Sequence, residues 1–159
     1  MDDEVRRDDS SRLVEVGDKE VTVRAPVAEG TVVMTAEACR GLMAGTPKGD
    51  PLEAARVAGL MAMKRTADLL PFCHPIALTG AEVSVAPDPD AGVIRVRARA
   101  RATDRTGVEM EALTAVSVAA LSLYDTAKAL DRGVVITDIR LLEKRGGRSG
   151  DYRADPTAG

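Results

Sequence analysis

From residue 94 to residue 102 every second side chain is apolar (Ile94, Val96, Ala98, Ala100 and Ala102), and the positions between are Arg95, Arg97, Arg99 and Arg101. Strand side chains point alternately to two faces, so this spacing predicts a strand over 93–103 with one buried face and one strongly cationic face. A hairpin partner is predicted where Ala81-Glu82-Val83-Ser84-Val85 alternates, with the turn-forming stretch Pro87-Asp88-Pro89-Asp90-Ala91-Gly92 as the loop. After residue 109 the period changes. Apolar residues at 113, 116, 120, 123, 127 and 130 recur at spacings of three and four, which predicts the longest helix over 109–132, capped by Gly133.

The chain before this hairpin reads as extended segments and then helices. Glu20-Val21-Thr22-Val23-Arg24 alternates, and Gly30-Thr31-Val32-Val33-Met34 follows after Pro26. Thr35 is the expected N-cap of a short helix that ends before Gly45. Asp50, with Pro51 at the first helical position and Glu53 three residues on, predicts a capping box opening a helix to about residue 70, where Pro71 stops it. A last strand over 134–142 closes the sheet. From residue 30 the order is strand, helices, strand, strand, helix, strand. This is the α+β, ferredoxin-like (split βαβ) plan, an antiparallel sheet with helices packed on one face. Residues 1–12 are expected to form a disordered leader, 13–145 a single catalytic domain, and 146–159 a Gly-rich polar tail.

Composition narrows the function classes. The chain has 159 residues, one Phe, two Tyr and no Trp, so alanine fills much of the core volume and each side chain buries little area. Oligomerisation would help such a core. A net charge of −3 argues against general nucleic-acid binding, which leans on a basic surface, and the arginine strand lacks aromatics on which bases could stack. No apolar run approaches a membrane span and the N-terminus has no signal-peptide h-region, so a cytoplasmic protein without membrane contact is expected. Cys39, Cys73 and the single histidine, His74, fall short of a closed zinc site, and no metal is expected.

Several stretches carry candidate chemistry. His74 lies in Pro71-Phe72-Cys73-His74-Pro75, where the prolines stiffen the backbone as suits a positioned imidazole; a packed connector histidine is the plainer reading. Along the long helix the row Thr114, Val118, Leu121 ends in Asp125 and Lys128, three residues apart on one face. That pair is either a solvated ion pair or an acid–base couple whose members tune each other. Glu109 and Glu111 in the first turn serve the helix dipole or flank a polar ligand at free backbone N–H groups. Lys48 sits on a Gly-containing loop without the P-loop pattern. Lys144-Arg145-Gly146-Gly147-Arg148 reads from composition as disordered, with a phosphate grip as the alternative.

Taken together, Lys48-Gly49-Asp50, Ala55-Arg56-Val57-Ala58-Gly59 and 64–75 (Lys64-Arg65-Thr66 through His74-Pro75) resemble the MoaC family, the cyclic pyranopterin monophosphate synthases of molybdenum cofactor biosynthesis. The resemblance continues through 106–115 (Thr106-Gly107-Val108-Glu109-Met110-Glu111 onward), Tyr124-Asp125, Lys128-Ala129 and Lys144 before Gly146-Gly147. It implies a ferredoxin-like subunit in a homohexamer, a trimer of dimers with active sites at subunit interfaces. It also implies a lyase that converts a cyclised dihydro-GTP into cyclic pyranopterin monophosphate and diphosphate. Carried onto this sequence, it makes Asp125 and Lys128 the catalytic pair, with Lys48 and His74 in supporting positions. Phe72, Cys73, His74, Met110 and Glu111 become substrate-binding residues, joined by Lys64 and Lys144 at phosphate or base. No cofactor is required by this reading; magnesium accompanying the triphosphate stays open. The family's His-Met-Val-Asp stretch is replaced here by Arg12-Leu13-Val14-Glu15. A nucleotide-binding regulatory module and a purely structural oligomer are the competing readings.

Overall fold

The alternating arginine strand lies at the centre of the sheet. In the computed structural model, which describes residues 11–156, β4 (Val93–Asp104) pairs on one edge with β1 (Thr22–Arg24) and β2 (Val27–Val33). Its other edge pairs with β3 (Gly80–Asp88). Beyond β2 lies β5 (Val135–Lys144), which carries β6 (Tyr152–Arg153) on its far edge. All pairings are antiparallel. The order β5–β2–β4–β3 is that of the ferredoxin-like fold, with β1 continuing along the β4 edge where β2 begins. The leader expected over 1–12 lies outside the described residues except for Ser11 and Arg12, and so do residues 157–159 of the tail.

The helices cover one face. These are α1 (Ala36–Met43), α2 (Pro51–Met63), the single turn α3 (Thr66–Leu69) and α4 (Glu109–Ala127). Ile94, Val96, Ala98, Ala100 and Ala102 are buried beneath them, as the alternation requires, and Arg95, Arg97, Arg99 and Arg101 are exposed on the opposite face. There Glu29 of β2 pairs with both Arg97 and Arg140, each at 3.2 Å. Small residues bring the helices close together. A Cβ on Gly59 of α2 would lie 3.0 Å from the Ala115 carbonyl oxygen of α4 and 3.2 Å from Val83, so glycine sets that approach.

Several local expectations are met and several are corrected. Thr35 caps α1 by accepting from the Ala38 N–H, and Asp50 caps α2 by accepting from the Leu52 N–H at 2.9 Å. The capping box does not close, because Glu53 pairs with Arg56 at 2.8 Å. Nor does one helix run to residue 70. The Thr66 hydroxyl is buried and donates to the Met63 carbonyl at 3.0 Å, and the chain turns between α2 and α3. The β3–β4 hairpin extends through Pro87 and Asp88, so only 89–92 turn.

At its other end, α4 stops at Ala127 with Lys128 as C-cap, and Gly133 is not the cap. The Asp131 carboxylate accepts from the N–H groups of Thr35 and Gly133 and organises that corner. The α4 stripe is also shifted. Ala112, Ala115 and Ala119 are buried with Val116, Ala120 and Leu123, whereas Leu113 is only partly buried and Leu130 is exposed. The stretch read as disordered after Lys144 turns at Gly146 and Gly147 and returns to the sheet as β6.

Candidate active site

Two groups of the residues singled out in the sequence assemble, at opposite ends of α4. At the C-terminal end the Lys128 Nζ lies 2.7 Å from the Asp125 Oδ1. Both are solvent-facing, with side chains 60% and 76% exposed. Lys48 belongs to this end, because its charge is felt by Asp125. Its loop is a tight turn: the N–H groups of Thr46 and Gly49 donate to each other's carbonyls at 3.0 and 2.9 Å, and Gly49 takes φ +112°. Lys128 holds the Asp125 carboxyl below its ordinary value by hydrogen bond and charge, helped by Lys48, and Asp125 raises Lys128 in the same way. Both shifts lead away from neutrality. In the free chain the pair is an ion pair.

The N-terminal end of α4 is built differently. Cys73 N–H donates to the Leu70 carbonyl, closing a turn through Pro71 and Phe72 that presents the Phe72-Cys73-His74 stretch to the helix. With Leu70, Met110 and Thr106-Gly107 these residues line a cavity of about 420 Å³. Behind it stands Glu111, only 3% exposed. The Cys73 thiol donates to its Oε1 at 3.7 Å, and its Oε2 is buried with no partner among the described residues. Burial pushes the Glu111 carboxyl up, with Glu109 adding to the effect. Burial, then the Glu111 charge, raises the Cys73 thiol, so it is a donor rather than a nucleophile.

A second cavity of about 430 Å³ adjoins the first, sharing Thr106, Gly107 and Glu109, and is lined by Lys19, Arg24, Arg105, Lys144 and Arg148. Lys144 pairs with Glu109 at 3.3 Å and donates to the Ser149 hydroxyl at 2.9 Å. Arg24 is buried and donates to the carbonyls of Asp104 and Arg105. Gly147, at φ +94°, leaves the space its guanidinium occupies. Lys19, Arg24 and Arg105 carry no sequence signal, because pairing of β1 with the end of β4 is what gathers them. Glu15, from the divergent Arg12-Leu13-Val14-Glu15 stretch, lines an adjacent hollow with Lys19, Arg24 and Arg148.

The two ends do not meet within one chain. Glu111 and Asp125 are fourteen helical residues apart, about 21 Å at about 1.5 Å per residue. Helix α2 runs antiparallel to α4, Lys48 near Asp125 and Gly59 against Ala115, so Lys64 at its C-cap belongs to the His74 end. Lys64 is exposed and is not among the residues lining the two cavities. Among the described residues no three His, Cys, Asp or Glu side chains group as a metal site would, and no helix is long and apolar enough to cross a membrane.

Comparison with known proteins finds close relatives over almost the whole chain. A cyclic pyranopterin monophosphate synthase of Chloroflexus aurantiacus is 54% identical over 144 residues, covering 90% of this chain and 88% of its own. The synthase of that name from Parvibaculum lavamentivorans is 53% identical over 146 residues, with 91% of each chain covered. One from Desulforapulum autotrophicum is 50% identical over 158 residues, with 98% and 97% covered. The MoaC family model matches residues 13–147, and the chain belongs to the MoaC family.

Proposed function

We propose that this chain converts a cyclised dihydro-GTP, its purine carbon 8 already joined to the ribose, into cyclic pyranopterin monophosphate with release of diphosphate. The observation that carries the proposal is the pair of adjoining cavities. One is lined by Phe72, Cys73, His74 and Met110, the other by five cationic side chains, and together they match a purine-derived ring system bearing phosphates. Lys144 stands where the two share the Glu109 wall. The relatives are named for the same activity.

In this reading Phe72, Cys73, His74 and Met110 hold the base, and Glu111 orders the Cys73 thiol behind it. Lys144, with Lys19, Arg24, Arg105 and Arg148, neutralises phosphate oxygens, and Lys64 adds positive charge at the rim. The phosphorus–oxygen lyase step joins a ribose oxygen to the innermost phosphorus and breaks that phosphorus's bond to the departing diphosphate. Cations stabilise the charge that builds on the leaving group. Opening the imidazole ring and closing the pterin ring require protons to move at several atoms. Asp125 and Lys128 are the donor–acceptor couple for those transfers, with Lys48 and His74 assisting. Acid–base partners must come within about 3 Å of the reacting atom, so ends separated along α4 require a second copy. The family resemblance implies that this second copy belongs to a homohexamer of paired subunits with active sites between them.

Purified protein given the cyclised dihydro-GTP is expected to release diphosphate, and Lys128→Ala is expected to abolish turnover with an unchanged circular-dichroism melt. Full turnover by that variant would remove Lys128 from the mechanism. Tight binding of ordinary GTP with no turnover of the cyclised compound would replace the enzyme by a regulatory nucleotide binder.

A further inference from the structure

Glu109, the first residue of α4, lines both cavities, and among the described residues it is the only acid lining the cationic one. Its first-turn place reads in the sequence as dipole compensation, and the proposed function gives it no task. Its carboxylate folds back over Gly107, whose missing side chain leaves it room, and pairs with Lys144 at 3.3 Å. The Lys144 and Glu109 side chains are 21% and 27% exposed, so water screens this pair less than the ion pair at the other end of α4. Val108, the N-cap, has no polar side chain to give to the free N–H groups of the first turn, where the helix favours negative charge. An anion carried by the chain itself thus stands among five cations at a helix N-terminus.

The Lys144 ammonium is shared between Glu109 and the Ser149 hydroxyl, 2.9 Å away. A phosphate oxygen brought to Lys144 therefore meets the Glu109 carboxylate as a like charge. We propose that Glu109 is a built-in competitor for the cationic cavity: its carboxylate holds Lys144 in the free protein, gives way to the substrate's triphosphate, and returns to Lys144 as diphosphate leaves. A carboxylate bears one negative charge and a polyphosphate several, so the polyphosphate wins the exchange, whereas a singly charged anion gains too little from the same cations. The cavity thereby selects polyphosphates. A tethered group comes back without a diffusional encounter, so the product does not linger. The inference rests on the proposed function for the identity of the ligand; the competition stands on the Glu109–Lys144 pair and on the wall the two cavities share.

Calorimetric titration of the full-length protein with inorganic diphosphate tests it. Glu109→Gln keeps the shape and removes the charge, and is expected to tighten diphosphate binding about ten- to a hundredfold, the effect of lifting a like charge from a partly buried site. Removing any nearby carboxylate attracts an anion somewhat, and Glu15 measures that background. It lines the adjacent hollow with Lys19, Arg24 and Arg148, but its carboxylate is held by the Gly17 N–H at 2.8 Å. Glu15→Gln is expected to change diphosphate affinity by less than about threefold. Equal tightening by the two variants, or none in Glu109→Gln, overturns the competition. In a Lys144→Ala background the effect of Glu109→Gln is expected to shrink below about threefold, because the contested partner is gone; an undiminished effect also overturns it. With the cyclised dihydro-GTP, Glu109→Gln is expected to lower steady-state turnover while its single-turnover rate stays at the parent's level, since release and not chemistry is slowed. A single-turnover rate that falls in step with kcat overturns the role in release. No diphosphate from that compound with the wild-type protein removes the proposed activity, and the titrations with inorganic diphosphate still decide the competition.

Discussion

The two ends of α4 solve opposite electrostatic problems. At the N-terminal end Glu111 is sealed from water, one oxygen unpartnered, and burial raises its carboxyl. At the C-terminal end Asp125 and Lys128 stand in solvent and hold each other's charge in place. The first end is finished by the fold of a single chain. The second is not, because an ion pair in water has shifts that oppose proton exchange near neutrality. Only desolvation of such a pair, by substrate and a second subunit, brings its members towards the range where they trade protons. One helix thus carries a buried acid at one end and a solvent-exposed ion pair at the other, and in the proposed function the pair acquires its chemistry on assembly.

The sharpest way to break that contrast is to exchange the pair. The double variant Asp125→Lys with Lys128→Asp keeps both charges, the spacing and the helix. If the two were only a solvated helix pair, nothing measurable would change. As an acid–base couple with fixed positions, the exchanged pair is expected to lose about 10²–10⁴-fold in turnover with an unchanged melting temperature. Retained turnover would reduce the C-terminal end to a surface ion pair.

What could be read in the sequence follows the same division. The β4 alternation was legible because period two survives whatever packs above it, and Asp125 with Lys128 because helical spacing alone puts them together. The break after Met63 was not, since it depends on one buried hydroxyl competing for helix carbonyls at Thr66. Strand β2 begins at Val27, earlier than its sequence suggests, because Gly30 conceals the strand pattern while packing beneath Val116. Lys19, Arg24 and Arg105 were invisible as a group, because only β1–β4 pairing gathers them beside Lys144. Local periodicity shows at once; convergence of distant segments does not.

A medium effect is expected at the buried end. The folded protein binds the Glu111 proton more tightly than the unfolded chain does. Its favourable contribution is therefore full below the ordinary value of 4.5 and is lost as pH rises through the raised folded value. Glu111→Gln has no proton to lose and is expected to gain stability over the parent as pH rises. The gain reaches on the order of 1–3 kcal/mol at alkaline pH, and each kcal/mol moves the midpoint by about 2–4 °C. Parallel thermal melts of the two proteins from pH 4 to pH 9 measure it. A difference that stays constant across that range would mean that Glu111 is not held as a buried acid.

The smallest effect tests whether exposure and ion-pair geometry alone mark the C-terminal end. Arg40 and Asp90 form a pair at 3.4 Å, with side chains 58% and 96% exposed, comparable to Asp125 and Lys128. Asp90 sits in the β3–β4 turn, and its partner Arg40 is on α1 rather than α4. It lines neither cavity described above, so it shares the ion-pair geometry of Asp125 and Lys128 outside the candidate site. Water screens such a pair and side-chain entropy opposes it, so Asp90→Ala is expected to shift stability by less than about 0.5 kcal/mol and to leave turnover at the parent's level. Melts at low and high salt, with a diphosphate-release assay, read both. A marked loss of turnover would mean that solvent-exposed ion pairs across this molecule affect activity indiscriminately, and Asp125 with Lys128 would lose its distinction. An unmoved assay leaves the candidate site, with Lys48 as a third charge, as what separates the two pairs.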